Sequence, residues 1–180
     1  MPKFVALLRG INVGKAKRVP MADLRALLIG LGHTHVATLL NSGNAVFQAG
    51  GGSCARHAKD ISGAIAARLK VDVPVVVKSL KELSSIIAEN PIDAEAEEYP
   101  RLLVAFVQDS KSLRDLSAIG ALVIAPERFA LGRSAAYLLC AKGILESKAA
   151  VALLGQAGRV ATSRNLATVL KLAALANAGS

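Results

Sequence analysis

Val36-Ala37-Thr38-Leu39-Leu40, Asn41-Ser42-Gly43-Asn44 and Ala45-Val46-Phe47-Gln48 read in succession as a strand, a turn and a second strand. Asn and Gly tolerate left-handed backbone angles, so the middle four residues suit a reversal of direction. The apolar, partly β-branched residues on either side suit a sheet. Upstream, Phe4–Leu8 is an apolar strand, and Pro20 fits the first turn of a helix. Leu24, Leu27, Leu28 and Leu31 give that helix its apolar stripe, and Gly32 ends it. Downstream, Gly50-Gly51-Gly52 is a flexible loop, after which Ser53 caps a helix with Ile61, Ile65, Ala66 and Leu69 inward. Val73–Lys78 is the next strand. The order is βαββαβ, the split-βαβ or ferredoxin-like arrangement. Ser79-Leu80-Lys81-Glu82 is a capping box that opens an extra helix, and Asn90-Pro91 stops it.

The second half repeats this order without obvious identity of residues. Leu102–Val107 is a strand, and Ser110 to about Ile119 is helical with Leu113 and Leu116 inward. Arg128–Leu131 and Ala136–Ala141 form a hairpin across Gly132-Arg133-Ser134. Lys148–Gln156 is a helix, Arg159–Thr162 a short strand and Ser163–Ala176 a final helix. Leu122–Ile124 is an unplaced apolar run, available as a further strand. The expected fold is therefore α+β: two tandem ferredoxin-like units with antiparallel sheets, each followed by an extra helix. The first unit spans residues 1–91, an acidic solvated linker spans 92–100, and the second unit spans 101–180.

Composition narrows the function. The chain has 180 residues, 53% of them hydrophobic and 19% charged, which excludes general disorder. No uncharged apolar run approaches the roughly 20 residues a membrane span needs. Lys3 and Arg9 bracket too short an apolar segment for a signal peptide, so the cytoplasm is the expected compartment. Cys54 and Cys140 match no metal or redox spacing. Cys140 lies in an apolar run and reads as buried. Cys54 opens a helix, where the dipole favours a thiolate, although an inert thiol is the commoner outcome. The formal net charge of +9 points to anionic partners. It is unevenly placed: Lys3, Arg9, Lys15, Lys17, Arg18 and Arg25 face Asp23 alone at the start, and no acid follows Glu146.

Three polar clusters carry the candidate chemistry. Arg9, Gly10, Asn12, Gly14, Lys15 and Lys17 form a glycine-punctuated basic loop between the first strand and the first helix, suited to anions. The loop is a near miss to a phosphate-binding P-loop. Three residues rather than four separate Gly10 from Gly14, and Ala16 stands where magnesium needs a hydroxyl. Nucleoside triphosphate hydrolysis is therefore disfavoured. Asn41, Ser42 and Asn44 are chiefly turn residues, expected at the end of the sheet opposite the basic loop. Thr162, Arg164, Asn165, Thr168 and Lys171 form the third cluster. There Thr162 or Ser163 is expected to cap the last helix, with Arg164, Thr168 and Lys171 on one helical face. An arginine in a first helical turn opposes the dipole, which hints at a task for it. His33 and His35 alternate near a strand, but with no third ligand in sight they read as surface histidines and no metal is expected.

These clusters together resemble one family. The run Ala6-Leu7-Leu8-Arg9-Gly10-Ile11-Asn12-Val13-Gly14, with Val19-Pro20-Met21, Asn41-Ser42-Gly43-Asn44-Ala45-Val46-Phe47 and Thr162-Ser163-Arg164-Asn165, is similar to the bacterial domain of unknown function 1697. The resemblance implies a soluble α+β protein of about this length and supplies no catalytic roles. Two positions depart from it: Leu166 replaces the family's usual aromatic, and Asn41 its frequent glutamine. The first removes a surface for stacking rings.

The expected function is binding of an anionic small molecule or nucleotide, bearing phosphate or carboxylate. The site would be built from the 9–18 loop and the 162–171 helix start, with no cofactor. Nucleic acid is the second candidate partner. The central strands offer only Phe4 and Phe47 for base stacking, fewer than an RNA-recognition sheet uses. An enzyme ranks third, because no Ser/His/Asp or paired-carboxylate constellation is identifiable.

Overall fold

The computed structural model describes residues 1–178. It contains two compact units: one of residues 1–83 together with the chain from Leu172, the other of Ser84–Lys171.

The first unit follows the order expected from the turn and the flanking periodicities. Strand β1 (Lys3–Leu8) leads to α1 (Met21–Gly30), β2 (Thr34–Leu39), β3 (Asn44–Gln48), α2 (Cys54–Leu69) and β4 (Val75–Ser79). The sheet order is β2-β3-β1-β4, antiparallel throughout, with Phe4 opposite Phe47 and Ala6 opposite both Ala45 and Val77. Alternation along β1 turns Phe4, Ala6 and Leu8 toward the core that Leu24, Leu27 and Leu28 of α1 and Ile61 and Ile65 of α2 complete. Helix α2 starts as its sequence dictates: the Ser53 hydroxyl accepts the Arg56 N–H at 3.2 Å. Of its expected inward residues, Ala66 is exposed; His57 and Ala58 are buried instead.

Helix α3 (Leu80–Ala88) spans the boundary between the units. Its capping box is formed. The Ser79 hydroxyl accepts the Glu82 N–H at 3.1 Å, and the Glu82 carboxylate accepts the Ser79 N–H at 2.8 Å. The acidic stretch read as a solvated linker contains a 3-10 helix, Ala96–Arg101, with its own capping box between Glu95 and Glu98.

The second unit repeats the layout. Strand β5 (Leu102–Val107), a 3-10 helix (Ser110–Leu122), β6 (Arg128–Leu131), β7 (Ala135–Leu139), α4 (Lys148–Leu154) and β8 (Ala161–Asn165) precede α5 (Leu166–Ala178). The sheet order β6-β7-β5-β8 matches the first unit strand for strand. Leu113 and Leu116 are buried as expected, on a 3-10 helix. Leu122–Ile124 adds no strand, because Leu122 closes that helix and Ile124 is 62% exposed. Tyr137 is the largest fully buried side chain, and its hydroxyl donates to the Ile86 carbonyl at 2.6 Å.

Candidate anion-binding site

The basic loop leaves β1 and reaches α1 twelve residues later, between Leu8 and Met21. Four of its residues have positive φ: Gly10 (67°), Asn12 (55°), Gly14 (63°) and Lys17 (49°). Glycine adopts this conformation without cost and asparagine at little cost. The loop is held by one side chain. Asn12 Oδ1 accepts the Val19 N–H at 2.9 Å, while Asn12 Nδ2 donates to the Val19 carbonyl at 2.9 Å and to the Asn41 carbonyl at 2.8 Å. The Asn12 N–H also closes onto the Lys17 carbonyl at 3.1 Å. The amide of Asn12 thus clasps both ends of the loop and spends its hydrogen-bonding capacity inside the protein.

The Asn41–Asn44 turn lies beside this loop, not at the far end of the sheet. Besides the Asn12–Asn41 bond, the Leu8 N–H donates to the Gly43 carbonyl at 2.9 Å. The reason is topological. Strands β1 and β2 both run antiparallel to β3. They are therefore parallel to each other, and the segments leaving them emerge at the same end of the sheet. Gly43, at φ 91°, sits so close that a Cβ would stand 2.7 Å from Ile11 Cδ1 and from Leu8 Cβ. Asn44 is fully buried and donates to the Leu39 carbonyl and the Ser42 hydroxyl at 2.8 and 3.0 Å. Asn41 and Ser42 stay exposed on the rim.

The outer face of the loop is cationic. Lys15, Lys17 and Arg18 are exposed, and among the described residues none of them forms an ion pair. Arg9 is half-buried, and burial lowers its pKa. Its backbone N–H donates to the Pro74 carbonyl at 3.0 Å, tying the root of the loop to the segment before β4. Helix α1 begins only at Met21 behind Pro20, so its N-terminal amides are not part of the loop.

The third cluster, in the second unit, differs from its expected form. Thr162 and Arg164 belong to β8, with Arg164 opposite Val104 of β5. The cap of α5 is Asn165, whose Oδ1 accepts the Thr168 N–H at 2.9 Å. Pairing with β5 extends the strand three residues past Thr162, and a strand does not share a helical face with Thr168 and Lys171. The Arg164 guanidinium is buried and donates to the Thr162 hydroxyl at 2.9 Å and the Ser163 carbonyl at 2.8 Å. Burial lowers its pKa to about 10, so it remains a cation. Thr168 is buried and Lys171 exposed.

The other sequence candidates resolve plainly. Cys54 does open α2, but burial, then a hydrogen bond to the Glu82 carboxylate at 3.1 Å, pushes its thiol up to about 11. Cys140 is buried just past β7, and burial raises it likewise to about 11. Both thiols are thus held against ionisation. His33 precedes β2, is buried and stacks on Phe47; burial first, then His57, lowers its pKa, against an opposing pull from Asp60. His35 is exposed at φ 51°, where the β2–β3 register shifts. That irregularity breaks the alternation that would have put the two histidines on one side. Phe4 and Phe47 stack on each other inside the core, so neither offers a base-stacking surface. Among the described residues, no helix is long and apolar enough to cross a membrane.

Comparison with known proteins bears on the fold. The conserved bacterial protein SP0830 from Streptococcus pneumoniae aligns with a TM-score of 0.79 and 23% identity, over 97% of this chain and 98% of that one. At that identity the likeness is one of fold. No curated protein matches the sequence. The family model described as protein of unknown function (DUF1697) matches residues 1–137, from the start of the chain into β7 and including both the basic loop and the Asn41–Asn44 turn. The chain belongs to that family.

Proposed function

We propose that the Arg9–Arg18 loop, with the Asn41–Ser42 rim, binds an anionic small molecule bearing phosphate or carboxylate, a nucleotide being one such ligand. One observation carries this reading: a loop with four left-handed residues, stapled by Asn12, holds three exposed cations that pair with no acid among the described residues. A loop fixed before the ligand arrives loses little conformational freedom on binding. Backbone amides in alternating turn conformations attract anions, and Lys15, Lys17 and Arg18 add long-range attraction. Asn12 and Asn44 serve here as scaffold, because their amides are already engaged. Arg164, Asn165, Thr168 and Lys171 of the second unit are read as further candidate contacts for the same class of ligand. The strand order of both sheets supports the ferredoxin-like description, and two free thiols suit a cytoplasmic protein.

Calorimetric titration with inorganic phosphate and a panel of nucleotides tests the reading. Saturable binding is expected, weakened about tenfold or more when Lys15, Lys17 and Arg18 are together changed to alanine. Equal heats in the parent and the triple variant refute it. Tighter binding to duplex DNA, with a log–log salt slope of roughly −0.9 per phosphate, assigns the loop to nucleic acid instead.

A further inference from the structure

The second unit leaves one sheet edge open. Strand β6 stands at the end of the order β6-β7-β5-β8 and is bonded to β7 alone. Hydrogen-bonded and non-bonded pairs alternate along an antiparallel ladder. The Gly132 N–H donates to the Ala135 carbonyl at 2.8 Å, so the bonded pairs within the strand are Ala130–Tyr137 and Arg128–Leu139. The Cys140 N–H, which donates to the Arg101 carbonyl just before β5 at 2.9 Å, fixes the same parity from the other side of β7. The backbone N–H and carbonyl groups of Phe129 and Leu131 therefore point away from β7, along the open edge. The corresponding edge of the first unit, β2, is blunted by a register shift between Thr34 and Ala37, with His35 at φ 51°. Such irregularities stop a strand from pairing outward. Strand β6 instead runs in unbroken register from Arg128 to Leu131 and contains no proline.

We propose that β6 pairs antiparallel with β6 of a second copy of this chain, joining two sheets edge to edge. The strand lies along a groove of about 350 Å³ that Ile92, Gly120, Val123, Phe129 and Ala130 line. Phe129 packs toward Gly120, where a Cβ would stand 3.2 Å from its ring, while Arg128 is held to the Asp93 carbonyl. In a twofold pair every contact occurs twice. An axis centred on Ala130 sets Phe129 against Leu131 of the second copy, so that the outward N–H and carbonyl groups of both strands bond to each other. The same register sets Glu127 against Arg133 of the second copy. Charge selects this occupant: the two residues are of opposite sign, and among the described residues neither forms an ion pair. Both are presented by fixed turns. Glu127 Oε2 accepts the Ile124 N–H at 3.2 Å, and the turn that exposes Arg133 is tied by the Ser134 N–H to Glu89 Oε1 at 3.0 Å. Leu131, 43% exposed, gains an aromatic cross-strand neighbour in Phe129. Opposite charges and apolar side chains facing each other across strands stabilise such a pairing.

Sedimentation equilibrium of the full-length chain over a dilution series tests this, read together with hydrogen exchange at the Phe129 and Leu131 amides. A monomer–dimer equilibrium is expected, with both amides slowing as concentration rises. Leu131→Pro removes an outward N–H that bonds nothing within its own sheet, and should weaken the dimer about tenfold or more with the circular dichroism of the parent. Glu127→Arg and Arg133→Glu should each weaken it about tenfold, and the variant carrying both should regain the parental affinity. That charge exchange decides the matter even where Leu131→Pro disturbs the fold. A monomer up to roughly millimolar chain overturns the proposal. So does a dimer indifferent to the charge variants, or one that leaves the two amides unprotected. A monomeric chain whose Phe129 and Leu131 amides slow only when an extended peptide is added overturns it too, and assigns the edge to a peptide.

Discussion

Replacing Asn12 by alanine tests the staple on which the basic loop depends. Three side-chain hydrogen bonds disappear, two to Val19 and one to Asn41. A net value of about 0.5–1 kcal/mol each, the lower part of the usual range because the site is partly exposed, gives about 2 kcal/mol. Alanine at φ 55° adds about 1 kcal/mol of backbone strain that asparagine largely escapes. The total is about 3 kcal/mol, or a melting temperature lower by roughly 6–12 °C for a chain of this size. Asn12→Gly loses the same bonds but not the backbone conformation, so it should fall about 1 kcal/mol short of the alanine variant. Because the chain holds two compact units, hydrogen exchange at the Val19 amide reports on the first unit directly. Loss of about 2 kcal/mol of local bonding should speed that amide roughly thirtyfold. Melting within 1 °C of the parent, with Val19 exchange unchanged, refutes the clasp. Equal effects of alanine and glycine refute the conformational part alone.

Gly43→Ala should be more damaging than either, since its Cβ meets Ile11 Cδ1 and Leu8 Cβ at 2.7 Å on a backbone at φ 91°. A loss above about 3 kcal/mol is expected in chemical denaturation; a midpoint shift under half that size contradicts the packing described. A second expectation concerns acid. Burial raises the Glu82 pKa, but the hydrogen bonds from Ser79 and Cys54 and the charge of Lys78 outweigh it, leaving the pKa below its ordinary value. A carboxylate depressed in the folded state contributes stability above its unfolded pKa, and that stability is lost as pH falls through the folded value. Glu82→Gln should therefore melt lower than the parent at pH 7 and converge with it below about pH 4. Parallel curves across that window contradict the assignment.

Local chemistry made much of this fold readable. Asn41-Ser42-Gly43-Asn44 marks a reversal because its residue types fit no regular strand, and the Ser79–Glu82 box forms as its spacing dictates. Sequence and structure part where a partner strand decides. Thr162 and Ser163 have the hydroxyls of a helix cap, yet pairing with β5 carries the strand on to Asn165, which caps instead. The hydroxyl signal was sound as chemistry and was overridden by a ladder that no short window of sequence contains. The pairing of His33 with His57 spans 24 positions and arises only when α1 and α2 pack on one sheet.

The proximity of loop and turn differs in kind, since it follows from the connectivity of the sheet. A strand followed by a crossover helix and then a strand two places away in an antiparallel sheet obliges both strands to point the same way. Their outgoing segments must meet at one end. Asn12 and Asn41 are 29 residues apart, and their 2.8 Å bond is the local signature of that topological rule. The rule explains why a side chain rather than a helix terminus organises the loop. Helix α1 starts too late to supply amides, whereas the turn after β2 is fixed by its own buried Asn44 and presents a carbonyl at the right height. A basic loop anchored on a rigid turn keeps its shape without ligand. Under the proposed function, an anion meeting Lys15, Lys17 and Arg18 finds the loop backbone already fixed, so little chain ordering opposes binding.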